Sequence, residues 1–275
     1  MNTLDTFNLN GRIALITGAA GLLGEKHAEA ILDGGGRVVL TDINTTLLDE
    51  KARQLVKKYG KNKVWQYTCD ITDENAVKSI IEKINMEAGP IDILINNAAN
   101  NPKVEELQKN FSRLENFKRE MWDKDIAVGI TGAFLLSKYI APEMAKRGKG
   151  VILNIASELG VIAPDQRLYR NQQAAENNQP VKPVTYSVVK HGIIGLTKYL
   201  ATYWLGEKVR CNAVAFGGVE NNTPKDFLDR IGKLSVMGRM AKPDEYKAAV
   251  LFLCSDASSY MTGSVITIDG GRTVW

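Results

Sequence analysis

The amino-acid sequence predicts an α/β fold: a doubly wound parallel sheet of about seven strands with helices on both faces. Three observations predict it. Short apolar runs alternate with longer amphipathic stretches along most of the chain. The apolar runs are continuous, so a strand made from them needs cover on each side. A glycine cluster stands where the first strand turns into the first helix, a place where α/β sheets of this kind make a tight turn.

Each element follows from its own pattern. Residues 12–17 (RIALIT) form the first expected strand, and helical spacing runs from about 22 to 32. The second strand covers 37–41 (RVVLT) with a helix at 45–58, and the third covers 63–68. Between 73 and 88, Ala76, Val77, Ile80, Ile81 and Ile84 recur at helical spacing. Pro90 bounds the buried run at 91–95. Trp122, Ile126, Ile130, Phe134 and Leu135 mark the next helix. Strand 150–155, helix 186–204, strand 208–214, helix 243–253 and strand 264–268 complete the alternation.

Two segments break the rhythm. Residues 162–182 are polar and hold two prolines, and 217–238 hold a short expected helix at 224–231. Both follow strands, on the side where open α/β sheets place their crevice. They read as a substrate-side insertion at about 160–184 and a lid at about 217–238 of one domain spanning 1–275.

Composition removes other classes. Of 275 residues, 44% are hydrophobic and 24% charged, which excludes disordered, collagenous and coiled-coil chains. Lysine and arginine number 35 against 31 acidic residues, a net of +4 without a basic block, so no nucleic-acid partner is expected. Cys69, Cys211 and Cys254 lack CxxC spacing and read as core residues in a reducing compartment, with no metal. The N-terminus is polar, and no apolar stretch reaches the roughly 18 residues a span needs. A cytoplasmic protein with no membrane partner is expected.

The glycine cluster is Thr17-Gly18-Ala19-Ala20-Gly21-Leu22-Leu23-Gly24. Glycine there permits a tight turn and close approach to a pyrophosphate, held by free N–H groups of the following helix; taken alone the cluster reads equally as a simple turn, and the strand before it, the helix after it and Asp42 favour the nucleotide reading. Asp42 lies 24 residues beyond Gly18, at the end of the second strand. A carboxylate there accepts both hydroxyls of an adenosine ribose and repels a 2′-phosphate, and Ala19, Ala20 and Ile43 supply no cation to offset it. That favours NAD over NADP; the other reading of Asp42 is a helix cap. Asp70, ending the third strand, has the same two readings with respect to adenine.

Tyr186-Ser-Val-Val-Lys190 places a phenol and an ammonium one helical turn apart, a spacing that also reads as an ordinary pair on an amphipathic helix. A nearby cation favours phenolate and lowers its pKa. Ser157, at the end of the preceding strand, can hold a substrate oxygen, and Asn96-Asn97-Ala98-Ala99 ends a central strand where its amides can pin the crevice.

Taken in order, TGAAGLLG, Asp42, Asp70, the NNAA at 96–99, Ser157, YSVVK and the closing TGSVITIDGG resemble the short-chain dehydrogenase/reductase family over essentially the whole chain. The resemblance implies a Rossmann-like fold of the classical branch, with Tyr186 as general acid/base. Lys190 then lowers the pKa of Tyr186 and holds ribose, and Ser157 orients the substrate oxygen. It implies NAD contacts by Gly18, Gly21, Leu22, Leu23, Gly24, Asp42, Ile43, Asp70, Ile71, Asn97, Ala98, Ala99, Tyr186, Lys190, Gly217 and Val219. It also implies a homo-oligomer, dimer or tetramer, joined through long helices and the C-terminal strand.

Three positions depart from the family pattern. Leu22 stands where TGxxxGxG has its middle glycine, with Gly21 one residue earlier. Gly129 stands where an asparagine holds a proton-relay water; a backbone carbonyl or another polar group is the available substitute. Phe216 replaces the usual proline, either walling the nicotinamide pocket or filling space beneath the lid.

Ser157 and Tyr186 are 29 residues apart, more than in compact members of the family, so the insertion lies beside the reacting centre. It carries Asp165, Gln166, Arg167, Tyr169, Arg170 and Gln172, with Glu158 upstream and Asn221 and Asn222 in the lid. Glu158, Gln166, Arg167, Arg170 and Asn221 read either as contacts to a polar, sugar-derived substrate or as solvated surface. APDQRLY ahead of YSVVK also resembles members associated with flagellin glycosylation and nonulosonate sugar pathways. The expected reaction is NAD-dependent interconversion of a secondary alcohol and a ketone. The alternatives are a redox-neutral epimerase of the same fold and a catalytically weak NAD-binding partner.

Overall fold

A computed structural model of the chain describes residues 2–100, 112–171 and 174–275. Seven parallel strands run β1 (Ile13–Thr17), β2 (Arg37–Asp42), β3 (Val64–Thr68), β4 (Ile93–Asn96), β5 (Gly150–Ser157), β6 (Val209–Phe216) and β7 (Val265–Ile268). Their order is β3-β2-β1-β4-β5-β6-β7. The chain winds outward from β1 to β3, then returns to start β4 on the other side of β1. The chain leaving β1 and the chain leaving β4 therefore turn to opposite faces of the sheet and leave a crevice at the switch point.

Side chains alternate across each strand and separate two helical layers. Ala14 and Ile16 of β1, with Val38 and Leu40 of β2, pack against α1 (Leu22–Asp33), α2 (Thr45–Tyr59) and α8 (Lys247–Cys254). Ile13 and Leu15, with Val39 and Leu94, face α3 (Glu74–Glu87), α5 (Gly132–Lys146) and α6 (Val184–Tyr203). Burial on both faces is the physical reason these strands read as unbroken apolar runs.

The expected strands and helices are all present, with three differences. The single helix expected around Trp122 to Leu135 is α4 (Arg119–Ile126), a π-helical turn (Ala127–Thr131) and then α5. Strands β5 and β6 continue past the apolar run, paired from Gly150↔Val209 to Ser157↔Phe216, because the parallel ladder holds their last polar and aromatic residues. The helix expected from Pro243 opens as a 3₁₀ turn (Pro243–Tyr246) before α8.

The insertion forms short 3₁₀ turns, including Gln166–Tyr169 and Glu176–Asn178, and the lid carries α7 (Lys225–Gly232). The two segments touch. Arg230 Nε donates to the Leu168 carbonyl at 3.0 Å, and the Tyr169 and Phe227 rings lie 5.9 Å apart. Cys69, Cys211 and Cys254 are buried and free, and burial pushes the Cys69 thiol up to about 11. Among the described residues no helix is long and apolar enough to cross a membrane.

At the opposite end of the sheet, buried Asp92 ties three elements. Its Oδ2 accepts from the Ile13 N–H at 3.1 Å, and its Oδ1 pairs with Arg147 Nη1 at 2.7 Å, at the end of α5. Removing the carboxylate leaves a buried donor and a half-buried cation without this partner. Asp92→Ala is expected to lower unfolding stability by about 2–4 kcal/mol, measured by urea denaturation, with turnover per folded molecule preserved.

Candidate active site

The crevice floor is built by the turn after β1. Gly18 sits at φ 62°, and a Cβ there would stand 2.9 Å from Ala98 Cα. A Cβ on Gly24 would stand 2.2 Å from the Gly18 carbonyl oxygen, so only glycine lets α1 begin this close to the loop. Gly21 is the N-cap of α1, and the first-turn N–H groups of Leu22, Leu23 and Gly24 have no acceptor within the helix. Thr17 Oγ1 accepts from the N–H groups of both Asn97 and Ala98 at 3.0 Å, while Asn97 Nδ2 donates to the carbonyls of Thr17 at 2.9 Å and Gly18 at 3.1 Å. The ends of β1 and β4 are thereby locked together.

Two carboxylates face this crevice edge. Asp42 Oδ2 accepts from the Ala20 N–H at 3.1 Å, and its Oδ1 from the Asn44 N–H at 2.9 Å. The cap of α2 is Asn44, so Asp42 is not the cap. Asp70 Oδ1 holds the N–H and hydroxyl of Thr72, and α3 is capped by Asp73. Ile43 is exposed, Ile71 is buried against Gly132, and Ala99 is exposed beyond half-buried Ala98.

Across the crevice, Ser157 ends β5, and Tyr186 and Lys190 lie in the first two turns of α6. Ser157 Oγ donates to Glu158 Oε2 at 2.9 Å and accepts from the Leu159 N–H at 3.3 Å. Burial pushes the Tyr186 phenol up to about 12; the negative charge of Glu158 adds to the rise, and the nearby Ser157 hydroxyl opposes it. The lowering expected from Lys190 is not seen; burial and Glu158 raise the phenol instead. Lys190 is itself buried, its Nζ donates to the Ile155 carbonyl at 2.8 Å, and it stands 5.9 Å from the Tyr186 ring centroid. Burial and the charge of Lys182 pull its ammonium down to about 8, against Glu158. Glu158, also buried, is pushed above the usual carboxylate range by desolvation.

Gly129 lies in the π-helical turn, where a Cβ would stand 2.3 Å from Val189 Cγ1. The space a side chain would take is filled by the valine of YSVVK. Between them is a cavity of about 10 Å³ bordered by Asn96, Gly129 and Lys190, the room of roughly one water. Asn96 Nδ2 donates to Asn154 Oδ1 at 2.8 Å, while its own buried Oδ1 lacks a partner among the described residues. Phe216 settles as a core residue: it is buried, stacked 3.9 Å from the Tyr246 ring and 5.9 Å from His27. Gly217 accepts from the Tyr246 hydroxyl at 3.0 Å, and Val219 bridges to Ala241, fixing the base of the lid.

The substrate-side residues divide. Glu158 borders a cavity of about 180 Å³ beneath the lid, together with Arg239 and Arg272. Gln166 Oε1 instead accepts from the Lys182 N–H at 2.8 Å. Arg167 pairs bidentately with Asp165 at 2.9 and 2.7 Å and points to solvent, and Arg170 pairs with Glu176 at the surface. Asn221 is exposed on the lid, its N–H donating to Thr223 Oγ1 at 3.3 Å. Gln172 lies outside the described residues. The structure thus brings one of the expected substrate contacts, Glu158, to Ser157. Sequence reasoning missed Lys182, whose Nζ lies 3.9 Å from the Tyr186 ring centroid, although its place four residues before Tyr186 was a usable signal. Arg272, in the closing segment, carried no comparable signal. Among the described residues no group of three or more His, Cys, Asp and Glu side chains could hold a metal.

Comparison with known proteins places this architecture. The sequence pattern of a family described as enoyl-(acyl carrier protein) reductase matches residues 18–273. The chain is 31% identical to D-threitol dehydrogenase of Mycolicibacterium smegmatis, over 98% of this chain and 95% of that one. It is 32% identical to the 3-oxoacyl-[acyl-carrier-protein] reductase of Thermotoga maritima, over 97% and 99%. It is 31% identical to the NAD-dependent glycerol dehydrogenase of Listeria innocua, over 98% and 96%. A gluconate 5-dehydrogenase from Burkholderia cenocepacia, solved with NADP and tartrate, superposes with a TM-score of 0.83 at 27% identity, each chain covered completely. The chain belongs to the short-chain dehydrogenase/reductase family of oxidoreductases. These matches do not bear on the flagellin-glycosylation association.

The contact between Gly129 and Val189 makes a size-exchange prediction. Gly129→Ala is expected to destabilise by about 1–3 kcal/mol through overpacking. Val189→Ala in the same chain is expected to recover part of that loss, as a double-mutant cycle in urea reads directly.

Proposed function

We propose that this chain is a cytoplasmic, NAD-dependent oxidoreductase that interconverts a secondary alcohol and a ketone on a polar, sugar-derived substrate. The observation that carries the reading is the meeting of Ser157, Tyr186 and Lys190 on the side of the crevice opposite the glycine turn. The dehydrogenases of threitol and glycerol among its relatives support a polyol-like substrate, and Glu158 beside Ser157 suits a hydroxylated one. As a homo-oligomer, dimer or tetramer, the protein would cover the exposed Tyr199 and Tyr203 of α6 and Phe134 of α5.

The residues present fit a nicotinamide dinucleotide. The turn where a Cβ on Gly24 would collide with Gly18 leaves its helix N–H groups open to a pyrophosphate. Gly18, Gly21, Leu22, Leu23 and Gly24 would hold that group, and Asp42 the adenosine ribose. Asp70 and Ile71 would flank adenine, and Asn97, Ala98, Ala99, Gly217 and Val219 would border the rest. When bound, the cofactor supplies the hydride acceptor or donor. Ser157 Oγ then holds the substrate oxygen, and Tyr186 Oη takes the hydroxyl proton in oxidation or gives it in reduction. Lys190, an ammonium one turn from the phenol, favours the phenolate.

Reduced-nicotinamide absorbance with D-threitol, glycerol, galactitol, gluconate, aminosugars and sugar phosphates, with a steroid and a simple alcohol as controls, tests the substrate class. Tyr186→Phe is expected to retain NADH binding and lose turnover by about a thousandfold; retained turnover would remove the tyrosine from its role. Asp42→Ala is expected to weaken NAD by about tenfold, a lost charge-assisted pair of hydrogen bonds, and to narrow the preference over NADP. Unchanged Michaelis constants for both cofactors would overturn the ribose assignment.

A further inference from the structure

Lys182 belongs to the insertion but ends over the ring of Tyr186. Its backbone is fixed from two sides: its N–H donates to Gln166 Oε1 at 2.8 Å, and the neighbouring Val181 N–H donates to buried Ser112 Oγ at 3.1 Å. Pro183 follows as the N-cap of α6, at φ −54° and ψ 139°, and holds the approach to the helix extended. From this anchor the Lys182 ammonium stands 3.9 Å from the Tyr186 ring centroid, nearer than Lys190 at 5.9 Å.

The charges around the phenol make that position consequential. The turn after β5 brings the buried Glu158 carboxylate against Ser157 and Tyr186, where a negative charge opposes a phenolate. Asp269, past β7, and Tyr246, before α8, face Glu158 in turn. From α4, Asp125 accepts a hydrogen bond from Thr185, the residue before Tyr186. Lys190, on α6 itself, is buried with its ammonium turned to the Ile155 carbonyl. Set against this acidic surround, over the face of the ring, is the Lys182 ammonium.

We propose that Lys182 is a second cation of the active site, a positioning residue that offsets Glu158 and sets the pH at which Tyr186 releases its proton. The inference rests on the reading of Tyr186 as acid/base. A cation this close favours phenolate, so wild-type Tyr186 ionises at lower pH than it would with a neutral side chain at position 182. The charge of Lys182 also weighs on Lys190 and lowers it, so its removal raises both groups.

The test is the pH profile of kcat/KM for oxidation, with NAD⁺ and the best polyol among D-threitol, glycerol, galactitol and gluconate. Lys182→Met and Lys182→Gln are expected to move the limb on which activity rises with pH upward by about one unit, and Lys182→Arg to keep the wild-type limb. An unmoved limb in both neutral variants overturns the inference, as does a rise in KM alone, which marks a substrate contact. If Tyr186→Phe is inactive while the neutral variants keep the wild-type profile, the Lys182 role falls and the tyrosine assignment stands. If Tyr186→Phe stays active, or no polyol is turned over, the reading beneath both falls.

Discussion

The parallel pairing of β1 with β4 is the contact on which the site depends. It joins two strands distant in sequence, Ile16 opposite Ile95, and the chain reverses its direction of winding between them. Thr17 and Asn97 then fasten the two strand ends with hydrogen bonds between 2.9 and 3.1 Å, so the crevice floor is part of the ladder. Because all strands run the same way, Asp42, Asp70, Asn97 and Ser157 end on the same edge. Glycine at positions 18 and 24 lets helix, loop and sheet close to distances that any Cβ would forbid.

Burial opposes charge on the other wall of the crevice. It raises the phenol of Tyr186 and the carboxyl of Glu158 and lowers the ammonium of Lys190, each toward its neutral form. An ionised Tyr186 would therefore need cations at short range. That places weight on the insertion, whose polar residues mostly serve one another: Gln166 clamps the Lys182 backbone, while Arg167 and Arg170 are taken by Asp165 and Glu176. The insertion in turn rests on the lid through Arg230 and Phe227, so the two irregular segments form one wall.

Gly129 illustrates why a single position is read poorly in isolation. As a sequence feature it is a missing amide. In the structure it is half of an exchange with Val189, in a π-helical turn next to a cavity bordered by Asn96 and Lys190. Phe216 is similar: the residue that stands for proline is buried, stacked on Tyr246 with His27 beside it.

The sequence by itself determined the sheet, its parallel sense and the glycine turn, because two-sided burial leaves continuous apolar runs and a tight turn needs glycine. It also determined the positions of Asp42, Ser157, Tyr186 and Lys190, whose spacing is local to a strand end or a helical turn. Tertiary structure decided everything that depends on residues meeting across the fold. It separated Glu158 from Gln166, Arg167 and Arg170, which are alike in polarity but differ in which neighbour satisfies them. It excluded the cap reading of Asp42, since the competing cap, Asn44, is identified by its hydrogen bond to the Leu47 N–H. It also put Lys182 over the phenol, through an amide sixteen residues away in the chain that pins its backbone. Periodicity records which face of an element is buried; it does not record which partner arrives there.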